Sequence, residues 1–259
     1  MVGGISAETP AQMYTDLSLL SNYEDLDIWF DFSNLTYGEN AIITSVANKG
    51  QGGSDYNIDS NEGTPQYMST TPGIGGNGLG SAYFDGSDEV LDMAGDYVTT
   101  GKPMTLFIVF SKADTTNDYL LVSSDDSATD YIRSAAGGDS ITFKGNNEAA
   151  VTIAVDDTAN STVAYSLTAL TMTLWVLRRN ADGELSIYAN NFNKIAFKDN
   201  AAIKAAATFK LGAIGGTTSG SLADTRGNIC EVGIYDADIG AANTSLLMDS
   251  LCKKWGITI

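Results

Sequence analysis

Between residues 26 and 236 the chain is a succession of short runs rich in β-branched and aromatic residues, each closed by glycine, aspartate, asparagine or serine. The runs are LDIWFDF (26–32), SAYFDG (81–86), EVLDM (89–93), MTLFIVF (104–110), DYLLVSS (118–124), DSITFKG (139–145), AVTIAV (150–155), TMTLWVLRR (171–179), GELSIYAN (183–190), ATFKLGAIG (207–215) and GNICEVGIYD (227–236). Runs this short cannot sustain a helical stripe, so they predict many strands joined by turns and an all-β domain. Asp85-Gly86, Asp182-Gly183 and Asn146-Asn147 supply turn chemistry between or at the ends of these runs. The strands show no internal repeat.

Only the two ends read differently. Thr9-Pro10-Ala11-Gln12 has a capping-box pattern with proline at the first helical position, followed by Met13, Leu17 and Leu20 on one face. This predicts a short helix over about residues 10–20, so residues 1–20 form an N-terminal arm and short helix and residues 21–259 the β-domain. From about Ala241, the residues Leu247, Met248, Leu251, Cys252 and Trp255 recur at helical spacing, with Lys253 and Lys254 in the last turn and Gly256 after it. A C-terminal amphipathic helix is expected. Residues 48–80 and 112–139 are poor in apolar residues and read as long surface loops or irregular strands inside the one domain.

The chain carries 32 acidic and 14 basic residues, for a net charge of −18. Such a surface repels phosphate backbones and anionic lipid heads, so neither nucleic acid nor membrane is an expected partner. MVGGISAETP lacks the basic start and apolar run of an export signal, and a soluble protein is expected. Cys230 and Cys252 both fall in apolar patterns, one on a strand and one on a helix, and read as buried free thiols.

With no histidine in the sequence, a Ser-His-Asp or Cys-His mechanism is excluded and the usual zinc sites are disfavoured. Glu184 and Glu231 are lone strand glutamates, expected to face solvent or pair with a lysine. For a hard cation, SSDDSATD brings Asp125, Asp126 and Asp130 into one loop and NIDSNEG brings Asp59 and Glu62 into another. Neither has the regular spacing of a calcium loop, so solvated acidic turns are expected and no cofactor, calcium being the one cation with an argument for it. Tyr37, Tyr56, Tyr119 and Tyr131 lie in polar settings that suit either sugar or protein contacts. Asn34, Asn160 and Asn243 begin Asn-x-Ser/Thr sequons.

Four stretches carry a family resemblance. They are LDIWFDFSNLTYGENAIITSVANKGQGGSDYNI; TPQYMSTTPGIGGNGLGSAYFDGSDEVLDM, with Pro65, Tyr67, Phe84, Asp85, Gly86, Asp88 and Val90 or Leu91 at the matching places; PMTLFIVFS with LTMTLWVLRRNADGELSIYANN; and GNICEVGIYDADIGAANTSLLMDSLCKKWGI. Together they resemble the concanavalin A-like lectin/glucanase superfamily, in particular the LamG-like jelly-roll domains of phage structural proteins. The resemblance covers residues 26–259 and rests on scaffold motifs. It implies a jelly-roll β-sandwich of two antiparallel sheets with short helices at both ends. In YFDGSDEVLDM, Tyr83 and Phe84 would then pack inside, Asp85-Gly86 would turn the chain, and Val90 and Leu91 would re-enter the sheet.

Glycosidases of that superfamily place carboxylates as Glu-x-Asp-x-x-Glu or Glu-x-Asp-x-Glu on one strand face, and no such triplet occurs here. The expectation is therefore a non-enzymatic virion protein, a capsid decoration or head or tail appendage of a phage particle, with other virion proteins as partners. The alternative is a lectin-like module that binds surface glycans. A homo-oligomer of so acidic a chain would need apolar or screened contacts.

Overall fold

The computed structural model describes residues 17, 23–71, 77–114, 119–124, 129–134, 140–145, 150–154, 167–190, 194–198, 204, 208–216 and 225–258. Apart from Leu17, the expected arm and helix of residues 1–20 lie outside the described residues.

Two antiparallel sheets face each other. The first contains β1 (Leu26–Asp31), β3 (Gln66–Met68), β4 (Ser81–Asp85), β6 (Met104–Lys112), β11 (Thr173–Arg179), β12 (Leu185–Ala189), β13 (Lys194–Lys198) and β15 (Arg226–Tyr235). Its order is β13-β12-β11-β6-β15-β4-β3, with β1 also paired to β15. The second contains β2 (Ile58–Glu62), β5 (Val90–Val98), β7 (Tyr119–Ser123), β8 (Tyr131–Ser134), β9 (Ser140–Lys144), β10 (Val151–Ala154) and β14 (Lys210–Ile214), in the order β10-β9-β8-β7-β14-β5-β2. The expected jelly-roll sandwich is the observed architecture.

The first sheet is buried on both faces. Ile28, Phe30, Leu106, Ile108, Phe110, Trp175, Leu177, Val232 and Ile234 point into the space between the sheets. Leu26, Trp29, Phe107, Val109, Leu174, Val176 and Tyr235 point the other way, onto a single helix, α1 (Gly240–Trp255). This is why MTLFIVF shows no alternation: every residue of β6 is buried. α1 packs Leu247, Met248, Leu251, Cys252 and Trp255 against that outer face. It ends as expected at Gly256, whose φ of 62° is left-handed. Asn77 completes the terminus, its side-chain amide donating to the carbonyls of Lys253 (3.0 Å) and Lys254 (2.9 Å).

Two sequence expectations change, and one open alternative is resolved. YFDGSDEVLDM is not strand, turn and return to one sheet: β4 pairs with β3 and β15, whereas β5 pairs with β2 and β14, so the segment is a corner that carries the chain between sheets. Residues 48–80 contain β2 and β3, and residues 112–139 contain β7 and β8. Of the two alternatives for these stretches, strands are present in both; β2 and β3 lie at sheet edges, whereas β7 and β8 are interior to theirs. β5 runs on to Val98, past the expected end at Met93, because β14 pairs along it beyond the bulge that Ala94, Gly95 and Asp96 accommodate.

Candidate functional site

The densest assembly of charged and aromatic side chains lies where the first and last strands meet α1. Asp31 ends β1 directly opposite Glu231 on β15. Ile229 and Val232 both face the inter-sheet core, and the register with β6 slips between Ile229 and Glu231. The bulge thus turns both Cys230 and Glu231 toward the helix. There Glu231 is wholly buried, accepting from Trp29 Nε1 (2.7 Å) on one oxygen and from Trp255 Nε1 (2.7 Å) and Lys254 Nζ (2.8 Å) on the other.

Lys254 bridges on to Asp31 Oδ1 at 2.9 Å, and Lys49 meets Asp31 Oδ2 at 2.9 Å. Asp31 also accepts from the backbone N–H of Ser33 (3.0 Å). Burial pushes the Asp31 carboxyl up, but the Lys254 and Lys49 ammoniums outweigh it and hold the group well below its ordinary value. Burial raises Glu231, against the pull of Lys254. Two carboxyls and two ammoniums thus meet beside the Trp29 and Trp255 indoles, with Lys49 at the solvent side.

Two carboxyls on adjacent strands are the raw material of a glycoside hydrolase. Here every oxygen is engaged, an ammonium sits between the pair, and Glu231 has no exposed surface. The assembly clasps α1 to β1 and β15 and offers no carboxyl to a substrate. Of the two readings open for Glu231, pairing with a lysine is correct and facing solvent is not. Glu184 sits in the turn after β11, accepting from Asn180 Nδ2 at 3.0 Å, with Lys204 at 3.9 Å. The buried thiols are both free; burial pushes Cys252 up to about 12 and Cys230 higher, so neither is a nucleophile at neutral pH.

The acidic-loop candidates separate. Asp125 and Asp126 lie outside the described residues. Asp130 is buried, where Oδ1 accepts from the Lys210 N–H (3.2 Å) and Oδ2 from the Thr129 hydroxyl (3.1 Å), tying the start of β8 to β14. Asp59 and Glu62 are exposed on the strand β2 instead of in a loop. Among the described residues no group of three or more acidic or thiol side chains is placed to hold a metal ion.

The four polar-context tyrosines also divide. Tyr119 is buried with the Lys112 ammonium 4.3 Å from its ring centroid, and Tyr131 is buried between Arg133 and Lys144. Tyr56 is half-buried, edge-on to Tyr97 at 5.3 Å. Tyr37 differs in its hydroxyl contacts. Half-buried like Tyr56, its ring packs against the inter-sheet core beside Tyr67 (6.4 Å between centroids) within the polar loop that joins β1 to β2. Its hydroxyl accepts from the backbone N–H groups of Thr44 (3.1 Å) and Ser45 (2.9 Å) and donates to the Ser45 carbonyl (3.0 Å). Burial raises the phenol, but the Ser45 and Thr44 hydrogen bonds more than offset this and bring it down to about 8.

The loop is fixed from both sides. Asn40 N–H donates to the Tyr67 carbonyl (2.8 Å), Tyr67 N–H to Ala41 (2.8 Å) and Ile43 N–H to Pro65 (2.9 Å). Glu39 accepts from the Ser69 N–H at 2.6 Å, and hydrogen bonding to the Ser69 side chain and then to this N–H holds its exposed carboxyl below the ordinary value. Asn40 adopts a left-handed φ of 60°. Thr36, Glu39, Asn40 and Thr44 are exposed around the ring, and no lysine or arginine occurs between Phe32 and Asn48. This rigid, cation-free polar loop is the candidate binding site.

No family model and no curated protein matches the chain. Solved structures do. Domain 4 of AbnA, an extracellular arabinanase from Geobacillus stearothermophilus solved with arabinotriose, aligns with TM-score 0.56 and 13% identity over 86% of this chain and 98% of its own. The binding domain of botulinum neurotoxin DC, solved with SialylT, aligns with TM-score 0.52 and 12% identity over 89% of this chain. A Trypanosoma rangeli sialidase aligns with TM-score 0.51 and 14% identity over 88% of it. This chain spans 52% of the neurotoxin domain and 33% of the sialidase. The shared property is the jelly-roll β-sandwich fold.

Proposed function

We propose that the protein is a glycan-binding module and that the Tyr37 loop contacts the sugar. The observation that carries the reading is the loop's geometry: a half-buried ring with an anchored hydroxyl, flanked by exposed Asn40, Glu39 and Thr36. A sugar presents an apolar C–H face and a rim of hydroxyls, which matches an aromatic ring beside amide, carboxylate and hydroxyl groups. Hydrogen bonds that already fix the loop reduce the ordering cost of binding. Glu39 and the absence of loop cations favour a neutral glycan over an acidic one. The fold shared with an arabinotriose-bound domain supports this reading, whereas the particle-decoration reading draws no support from the neighbouring structures.

A glycan array in calcium-replete buffer, followed by titration calorimetry on the strongest neutral hit, tests the proposal. Tyr37→Ala and Asn40→Ala should each weaken binding by about tenfold, the loss of roughly one good contact. An array without signal overturns the function. Unchanged affinity in both variants overturns the site.

A further inference from the structure

The clasp beneath α1 holds an amine between two carboxyls in a site that excludes most water. Lys254 Nζ lies 2.9 Å from Asp31 Oδ1 and 2.8 Å from Glu231 Oε2. The two carboxyls are cross-strand neighbours, Asp31 on β1 directly opposite Glu231 on β15. The Glu231 side chain has no exposed surface, that of Asp31 has 7% and that of Lys254 16%. The Trp255 ring centroid is 5.3 Å from the ammonium, and the Trp29 and Trp255 indoles donate to one Glu231 oxygen each.

The two carboxyls are held for different tasks. Asp31 turns Oδ1 toward Lys254 and the Ser33 N–H, and its Oδ2 rests on a second ammonium, Lys49, at 2.9 Å. A cation on Oδ2 stabilises negative charge that collects on that oxygen, so Asp31 is the carboxyl open to attack at its carbon. Glu231 has its orientation fixed by the indoles, with Oε2 in contact with the Lys254 nitrogen. Burial raises Glu231, which makes it the better proton acceptor of the pair. Burial works against the charge on Lys254, but the two carboxylates outweigh it and keep the side chain an ammonium. The nitrogen must therefore give up a proton before it can react, and any bond it forms is a slow maturation step.

We infer that Lys254 and Asp31 condense into an intramolecular amide, with Glu231 relaying the protons. The Lys254 ammonium passes one proton to Glu231 Oε2 and becomes a neutral amine. Its nitrogen then bonds to Asp31 Cγ, and the charge that develops on Oδ2 faces the Lys49 ammonium. Glu231 returns its proton to Oδ1, a second proton follows from the nitrogen by the same route, and the Cγ–Oδ1 bond breaks with release of water. The three ammonium protons end as one amide N–H and one water molecule. One positive and one negative charge disappear, nothing is oxidised or reduced, and no further reactant is needed. Burial favours this product, because a neutral amide replaces two ions held out of water. The ion-paired clasp is the precursor. The bond ties β1 to the last turn of α1 and encloses every strand from β2 to β15 in a covalent loop, which restricts the unfolded chain.

Intact-mass spectrometry of the full chain, denatured after increasing times of incubation at neutral pH, tests the bond. The wild type should lose the mass of one water as incubation proceeds, and protease digests should yield a branched peptide that joins the segments of Asp31 and Lys254. Lys254→Arg, which keeps the charge, should hold its full mass. Glu231→Gln should slow the loss of water by about a hundredfold or more. A wild type that retains its full mass overturns the inference, whether or not the variants fold. So does a loss of water that maps to Asp85-Gly86 or Asp182-Gly183, where an aspartate can cyclise onto the following glycine. Bond formation at the wild-type rate in Glu231→Gln overturns the relay.

Discussion

Replacing Lys254 with methionine keeps most of the side chain's volume and removes the one charge that lies between Asp31 and Glu231. The ammonium sits 2.9 Å from Asp31 and 2.8 Å from Glu231, whose side chains are 7% and 0% exposed. At an effective dielectric of about 20, each contact represents on the order of 6 kcal/mol of gross attraction. Much of that offsets the desolvation of three buried ions in the wild type. What remains in Lys254→Met is a buried Glu231 without a cation, and such broken pairs cost about 3–5 kcal/mol. With a urea slope of about 3 kcal/mol/M, the unfolding midpoint should fall by about 1 M or more at neutral pH. Acidification provides the internal control. Without Lys254 the Glu231 carboxyl moves further up and takes a proton, so the gap between variant and wild type should narrow as pH falls. The wild type meanwhile loses the contribution of Asp31, whose lowered folded value confers stability only above about pH 4. A loss below about 1 kcal/mol at pH 7 would refute the buried-clasp reading, because only a water-screened pair is worth so little.

Trp255→Phe removes a donor to Glu231 and should cost about 1–3 kcal/mol in the same denaturation assay. Gly215→Ala drives a Cβ into the Phe84 ring at a backbone φ of 93°, and a loss above about 2 kcal/mol is expected by thermal or urea unfolding. An absorbance titration should show a tyrosine step near pH 8, and Tyr37→Phe should abolish that step. Because the folded Tyr37 value lies below the unfolded one, the loop should gain stability as pH rises from about 8 toward 10. Self-association of a chain with a net charge of −18 should strengthen as salt is added, and sedimentation that does not change with ionic strength would contradict this.

Where the sequence pattern was local, it located structure accurately. The run 104–110 falls within β6, Gly256 terminates α1, and Cys230 and Cys252 are buried on a strand and a helix. The pattern failed where pairing overrode composition. KIAFK at 194–198 is too short and charged to stand out, yet it forms β13 because β12 offers it an edge. The corner at 85–89 has the local chemistry of a hairpin turn, and nothing in five residues specifies that its two strands separate into different sheets. That choice belongs to β15 and β14, which claim β4 and β5 from far along the chain.

The same distinction governs the candidate site. Asp31, Lys49, Glu231 and Lys254 are scattered through the sequence, and only the pairing of the first strand with the last brings them together. A lone strand glutamate could therefore be read as paired with a lysine, but not as the centre of an indole-lined clasp. Tyr37 was legible as an aromatic in a polar setting, as were Tyr119 and Tyr131; burial alone separates them, and burial depends on which strands lie above each ring. Charged groups fasten the helix through Glu231 and Lys254, and Tyr119 and Tyr131 pack beside cations. The loop at residues 33–47 carries no lysine or arginine, so the groups left exposed around Tyr37 are uncharged or acidic.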